Sequence, residues 1–160
     1  MIAIASTSVM TYVATDAKRD RENELLRIGQ ETVHAIALYY TATPGSVKKL
    51  PANLEDLLED RRQIGITRYM REIYPDPTTG KMDWDLVRDK QGGIRGIRST
   101  NDAAPLRAGV AVLDAWSVMS NVTGGPAVQI AASTLQPALH YSDWVFEYQD
   151  VSVQPGQTAK

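Results

Sequence analysis

Hydrophobic and polar positions divide the chain into a long amphipathic beginning, a punctuated middle and an end that reads as strand. Residues Met1 to Ala14 carry no charge, whereas Thr15 to Glu24 is almost solidly charged. From Leu25 the apolar residues Leu25, Leu26, Ile28, Val33, Ile36, Ala37 and Tyr40 fall on one broad face of a 3.6-residue helix. Glu22, Arg27, Gln30, Glu31 and His34 are assigned mostly outside that stripe. No proline interrupts the run before Pro44, so the pattern predicts a single helix over Met1 to Tyr40. Gly29 inside it costs about 1 kcal/mol relative to Ala, and such a glycine usually marks close packing. Thr41-Ala-Thr-Pro-Gly45 then reads as a turn.

The remaining elements are shorter. Pro51 to Asp60 predicts a short helix with Asn53 as its cap, Glu55 and Asp56 in its first turn and Leu57 and Leu58 as its apolar pair. Ile66 to Tyr74 predicts a further helical turn, ended by the prolines at 75 and 77, and Pro77-Thr-Thr-Gly80 reads as a tight turn. Trp84 to Arg88 and Ile94 to Ser99 predict a hairpin joined through Asp89-Lys-Gln-Gly-Gly93, with a bulge at Gly96. Asp143 to Tyr148 is the clearest strand, with Trp144, Phe146 and Tyr148 on one face. Asn101 to His140 has no single period, and Val110 to Met119 fits helix and strand equally. Val151 to Lys160 reads as a polar tail. The fold class expected is α+β, organised as a projecting helix half over residues 1–24, a globular domain over 25–150 and a flexible tail over 151–160.

Composition narrows the function. A length of 160 residues with 43% hydrophobic residues suits one domain with its own core. A net charge of −2 argues against a nucleic-acid surface. The absence of Cys removes disulfides, thiolate catalysis and Cys-based zinc sites together. Trp84, Trp116 and Trp144 lie in separate segments that are candidates to share one core. His34 and His140 are the two histidines and form no pair at ligand spacing, so no transition-metal site is expected. Ser99, His140 and Asp143 could be assembled on paper into a triad, but no nucleophile elbow supports it. No acid, base and nucleophile set suggests an enzyme.

Carboxylates carry the one metal hypothesis. Asp76, Asp83, Asp85 and Asp89 lie close in sequence and Asp102 follows the hairpin. Calcium wants six to eight oxygens, so Asp83, Asp85 and Asp89 are its candidate ligands. The order of an EF-hand loop is missing, and turn and cap residues are the favoured reading. Gly92-Gly93-Ile-Arg-Gly96 lacks the Lys-Ser/Thr of a phosphate loop. Lys48, Lys49, Arg61, Arg62, Arg68 and Arg71 are offset by acidic neighbours and read as a solvated face.

The apolar beginning is shorter than the roughly 20 residues a membrane span needs. It also lacks a basic leader and a cleavage site. The expectation is that the chain begins partway along a longer apolar helix.

The order of elements resembles that of type IV pilin-like proteins, most closely the pseudopilins of bacterial type II secretion. Pro51-Ala-Asn-Leu-Glu-Asp-Leu-Leu58 resembles the Tyr-Pro-x-x-Leu-x-x-Leu segment that follows the long helix in major pseudopilins. Tyr74-Pro-Asp-Pro-Thr-Thr-Gly80 followed by Trp84 resembles their Asp-Pro-Trp-Gly turn into the sheet, and Tyr141-Ser-Asp-Trp-Val-Phe146 is similar to a strand of a related group. The family's processing motif, a Gly followed by Phe-Thr-Leu, does not occur in this chain, and neither does the acidic tail loop of its calcium site. The resemblance implies a pilin-like fold and a homo-oligomeric helical filament. It also implies partnership with other pseudopilins and an inner-membrane assembly platform, and a periplasmic or, in a pilus, extracellular globular domain.

Ile2, Ile4, Val9, Met10, Tyr12 and Val13 are the expected apolar assembly surface and membrane contact, and Asp16, Arg19, Arg21 and Glu22 the charged belt that sets register. Leu25, Leu26, Val33, Ile36 and Tyr40 are expected to face the core. The alternative is a minor pilin-like protein that primes or tips a filament through residues 101–140.

Overall fold

A computed structural model describes residues 5–107 and 138–148, with side chains from Ala14 onward. One long helix, α1 (Ala5–Thr41), lies against a small antiparallel sheet of order β1-β2-β3, formed by β1 (Asp85–Arg88), β2 (Ile94–Arg98) and β3 (Val145–Glu147). The architecture is therefore α+β. Thirty-seven helical residues extend for about 55 Å, whereas strands of three to five residues reach only about 10–17 Å. The strands alone are too short to span the whole helix. Ala14, Thr15 and Asp16 are exposed, and Glu22 is the first buried residue of α1 among those described.

Leu25, Leu26, Ile28, Val33, Ile36 and Ala37 form the helix side of the core, and Ile94, Ile97, Trp144 and Phe146 form the sheet side. Tyr40 is half-buried with its ring 5.3 Å from that of Tyr148. Phe146 packs its ring directly onto the helix at Gly29. A Cβ built on Gly29 would stand 2.5–2.6 Å from the Cδ atoms of that ring, a separation no side chain tolerates. Gly96 does the same service within the sheet, where a Cβ would stand 2.7 Å from the Glu147 Cα. The register between β1 and β2 slips there, from Val87↔Gly96 to Arg88↔Ile94, which places the expected bulge at Arg95–Gly96.

Two expectations change. The short helix is a single 3₁₀ turn, Leu54–Leu57, whose start is held by the Asp56 carboxylate accepting from the Ala52 and Asn53 amides at 2.9 and 3.0 Å. Residues 66–74 are not helical. Thr67 pairs with Asp60 in an antiparallel bridge and the amides of Tyr69 and Met70 bond the Leu57 carbonyl, so long-range partners take the hydrogen bonds a helix would have used. Trp84 is half-buried with its indole N–H on the Tyr74 carbonyl at 2.8 Å. Trp116, the 110–119 segment and the tail over 151–160 lie outside the described residues, as do Ile2 and Ile4.

Gly29→Ala gains helix propensity yet inserts a methyl group into the Phe146 ring, so it is expected to destabilise the fold by about 1–3 kcal/mol. Combining it with Phe146→Leu should cost less than the sum of the two single changes. Urea denaturation of the three variants measures both quantities.

Candidate functional site

Three polar clusters hold this fold together, and one occupies an unexpected place. Counting from Leu25, Gly29, Val33 and Ile36, the helical period puts Lys18 and Glu22 on the buried stripe. Glu22 is accordingly fully buried, not part of an outward belt. Its Oε1 accepts from the Leu106 amide at 2.6 Å and from the Tyr141 hydroxyl at 2.9 Å. Arg107 Nε stands 3.9 Å from Oε2, which has no hydrogen-bond partner among the described residues. Arg107 also donates to Asn23 Oδ1 at 2.7 Å. One turn earlier, Lys18 donates to the Ala104 carbonyl at 2.7 Å and lies 5.9 Å from the centre of the Tyr141 ring.

These contacts form a neck. Residues 101–107 and 138–143 are the two ends of the excursion whose middle lies outside the described residues. They meet each other through Tyr141 N–H to the Ala103 carbonyl, Ser142 N–H to the Asn101 carbonyl and Ser142 Oγ to Asp102. Glu22 then ties both ends to α1. Tyr141 stacks edge-on against Trp144 at 5.7 Å. Burial first, and the hydrogen bond to Glu22 second, raise the Tyr141 phenol well above its ordinary 10.0.

The second cluster closes the far end of the helix. Arg62 makes a two-toothed pair with Asp60 at 2.7 and 2.8 Å, bonds Thr43 Oγ1 and the Tyr39 carbonyl, and stacks 3.4 Å from the centre of the Tyr39 ring. Tyr69 adds its hydroxyl to Asp60 at 2.9 Å. The Arg62 hydrogen bonds lower the Asp60 carboxyl from 3.8 to about 2. The third cluster is fully buried Asp76, which accepts from the Thr78 amide and hydroxyl and from Ser99 Oγ.

The calcium candidates are not brought together. Asp83 is exposed and accepts from Thr79 Oγ1, a bond that lowers its pKa; Asp85 pairs with Arg98 across the hairpin; Asp89 accepts from the Gln91 and Gly93 amides. Among the described residues no group of three or more His, Asp or Glu side chains is placed to hold a metal ion. Ser99 is engaged by Asp76, while His140 Nδ1 lies 3.7 Å from Asp143.

Of the belt residues, Asp16, Arg19 and Arg21 are exposed and only Glu22 is turned inward. Val9, Met10, Tyr12 and Val13 lie on α1, with their side chains outside the described set. No sequence signal marks Leu106 or Arg107, and Tyr141 stands out only as part of the Tyr141-Ser-Asp-Trp-Val-Phe146 segment. The helical period alone could have found Lys18 and Glu22, but their charge argued for solvent.

Tyr141→Phe removes a donor from a buried carboxyl group and is expected to cost about 1–3 kcal/mol in denaturant unfolding. The raised phenol contributes stability that is complete below pH 10 and lost as pH climbs above it, so stability of the parent chain should fall at alkaline pH and fall less steeply in Tyr141→Phe. Asp60 works in the opposite direction. Its lowered carboxyl contributes stability present above pH 3.8 and lost as pH falls toward 2, on the order of 2 kcal/mol, and Asp60→Asn should flatten that acid limb.

Compared with family models, curated proteins and solved structures, the chain finds no significant match in any of the three.

Proposed function

We propose that the chain is a pilin-like structural subunit of a bacterial secretion pseudopilus or a related type IV filament, with no catalytic role. The observation that carries this reading is the mismatch between α1 and the body. Among the described residues the sheet and its loops engage the helix from Lys18 to its end, and α1 begins at Ala5, ahead of them. An apolar helix end needs burial, because contiguous apolar surface beyond a few hundred Å² is rarely left in water. Copies of the same helix supply that burial, and a contact between different faces of identical chains propagates as a fibre.

Among the described residues no helix is long and apolar enough to cross a membrane. Contact of the helix start with the inner membrane, and a periplasmic body, belong to the proposal through the sequence resemblance. The neck favours a second reading: Glu22 clamps both ends of the 108–137 excursion to α1, which is how a protein presents a binding loop from a rigid base. In that case the protein is a tip or priming subunit.

Size-exclusion chromatography with light scattering, on the full chain and on a version beginning at Asp16, tests the main reading. The full chain is expected to assemble in detergent-free buffer and the shortened one to remain monomeric. Two equally monomeric species would overturn it. Labelling along assembled filaments, as opposed to their ends, separates the structural subunit from the tip protein.

A further inference from the structure

The face of α1 opposite the core carries an acidic arrangement of which Asp16 and Asp20 pair with no described residue. Asp16, Asp20 and Glu24 follow one another at four-residue spacing and form an acidic ridge. Like charges at this spacing weaken a helix by a few tenths of a kcal/mol per pair. Glu24 is relieved by Arg27, which bonds it at 2.7 and 3.0 Å. Asp16 and Asp20 are exposed and have no hydrogen-bond or ion-pair partner among the described residues. Lys18, on the other side of the helix, is directed at Ala104. Arg19 lies roughly 80° away around the axis from the ridge, at 100° per residue.

Higher on the same face is the complementary feature. His34, Arg68 and Arg71, with Glu31, Tyr69 and Met70, line an open groove of about 500 Å³ between α1 and the 68–71 segment. Glu31 is already bonded by Arg27 at 2.6 Å. His34, Arg68 and Arg71 are exposed and have no hydrogen-bond or ion-pair partner among the described residues. The groove therefore presents two guanidinium groups and an imidazole to whatever enters it. Guanidinium forks match carboxylates, and two carboxylates one helical turn apart suit two such forks.

We infer that the groove at His34, Arg68 and Arg71 receives the Asp16–Asp20 ridge of a second copy of this chain. The inference rests on the filament reading and specifies one of its contacts. The two surfaces lie on one helix about 16 residues apart, so parallel copies that engage this way are offset by roughly 24 Å along the axis. Ridge and groove are different surfaces, so the contact is heterologous, leaves a free ridge and a free groove on the outer copies, and does not close.

Charge exchange in the full chain tests it, because all four residues are exposed and their replacement leaves the core intact. Arg68→Glu with Arg71→Glu, and separately Asp16→Lys with Asp20→Lys, should each raise the concentration needed for assembly about tenfold, read by sedimentation velocity at low salt. Combining all four changes should bring it back to within a few-fold of the parent. Added salt should weaken parent and combined variant alike. Thermal melts of each variant confirm that the fold is retained. Assembly unchanged by the single-sided reversals, or weakened by both without recovery in the combination, overturns this contact and leaves the filament reading standing. A chain that is monomeric in every variant overturns both.

Discussion

The close approach of β3 to α1 at Phe146 and Gly29 is the constraint on which the rest of the structure depends. A flat ring against bare helix backbone lets the sheet sit nearer the helix axis than any side chain at position 29 would allow. From that contact the other positions follow. Ile94 and Ile97 of β2 share the core with Leu25, Val33 and Ile36, and Trp144 and Tyr148, just outside either end of β3, are buried with the ring. Gly96 repeats the device one layer out, where β2 and β3 pair with no room for a Cβ. A small sheet gains little from its own pairing, so its stability derives mainly from the helix it covers.

Two charged clusters bracket this packing. At the lower end Glu22 gathers the termini of the excursion; at the upper end Arg62 binds the last helical turn to the 60–69 loop. Both are buried or half-buried charges that bond backbone groups: Arg62 takes the Tyr39 carbonyl in the last turns of α1, where carbonyls lack helical partners, and Glu22, midway along α1, takes the Leu106 amide. Their energetic weight lies less in the attraction itself than in the cost of leaving one partner buried alone. They also locate the boundary between the covered and uncovered parts of α1. Ahead of Glu22, Lys18 still meets Ala104 and Tyr141, while Asp16, Arg19 and Asp20 are exposed, and the proposed filament contact draws on that exposed side of the helix.

The sequence made the long helix, its apolar stripe, the hairpin and the face of Trp144, Phe146 and Tyr148 legible, because each depends on a local period. Glu22 is the exception: its charge points to solvent, whereas its position on the stripe buries it. The spacing of the 66–74 segment permits a helix, but the Leu57 carbonyl and Asp60 capture its backbone instead. The three calcium candidates were close in sequence but divide among a turn, a cross-strand ion pair and a hairpin cap.

By itself the sequence determined that an uncharged, then charged, then amphipathic helix leads a small α+β domain, because charge and hydrophobic period are properties of neighbouring residues. Only the tertiary structure decided which charge is buried, where the excursion is anchored and how closely the sheet approaches the helix. Those outcomes depend on residues far apart in the chain: Glu22 with Tyr141, Arg62 with Tyr39, and Gly29 with Phe146. No local pattern records a partner 23 or 119 positions away; packing in three dimensions selects it.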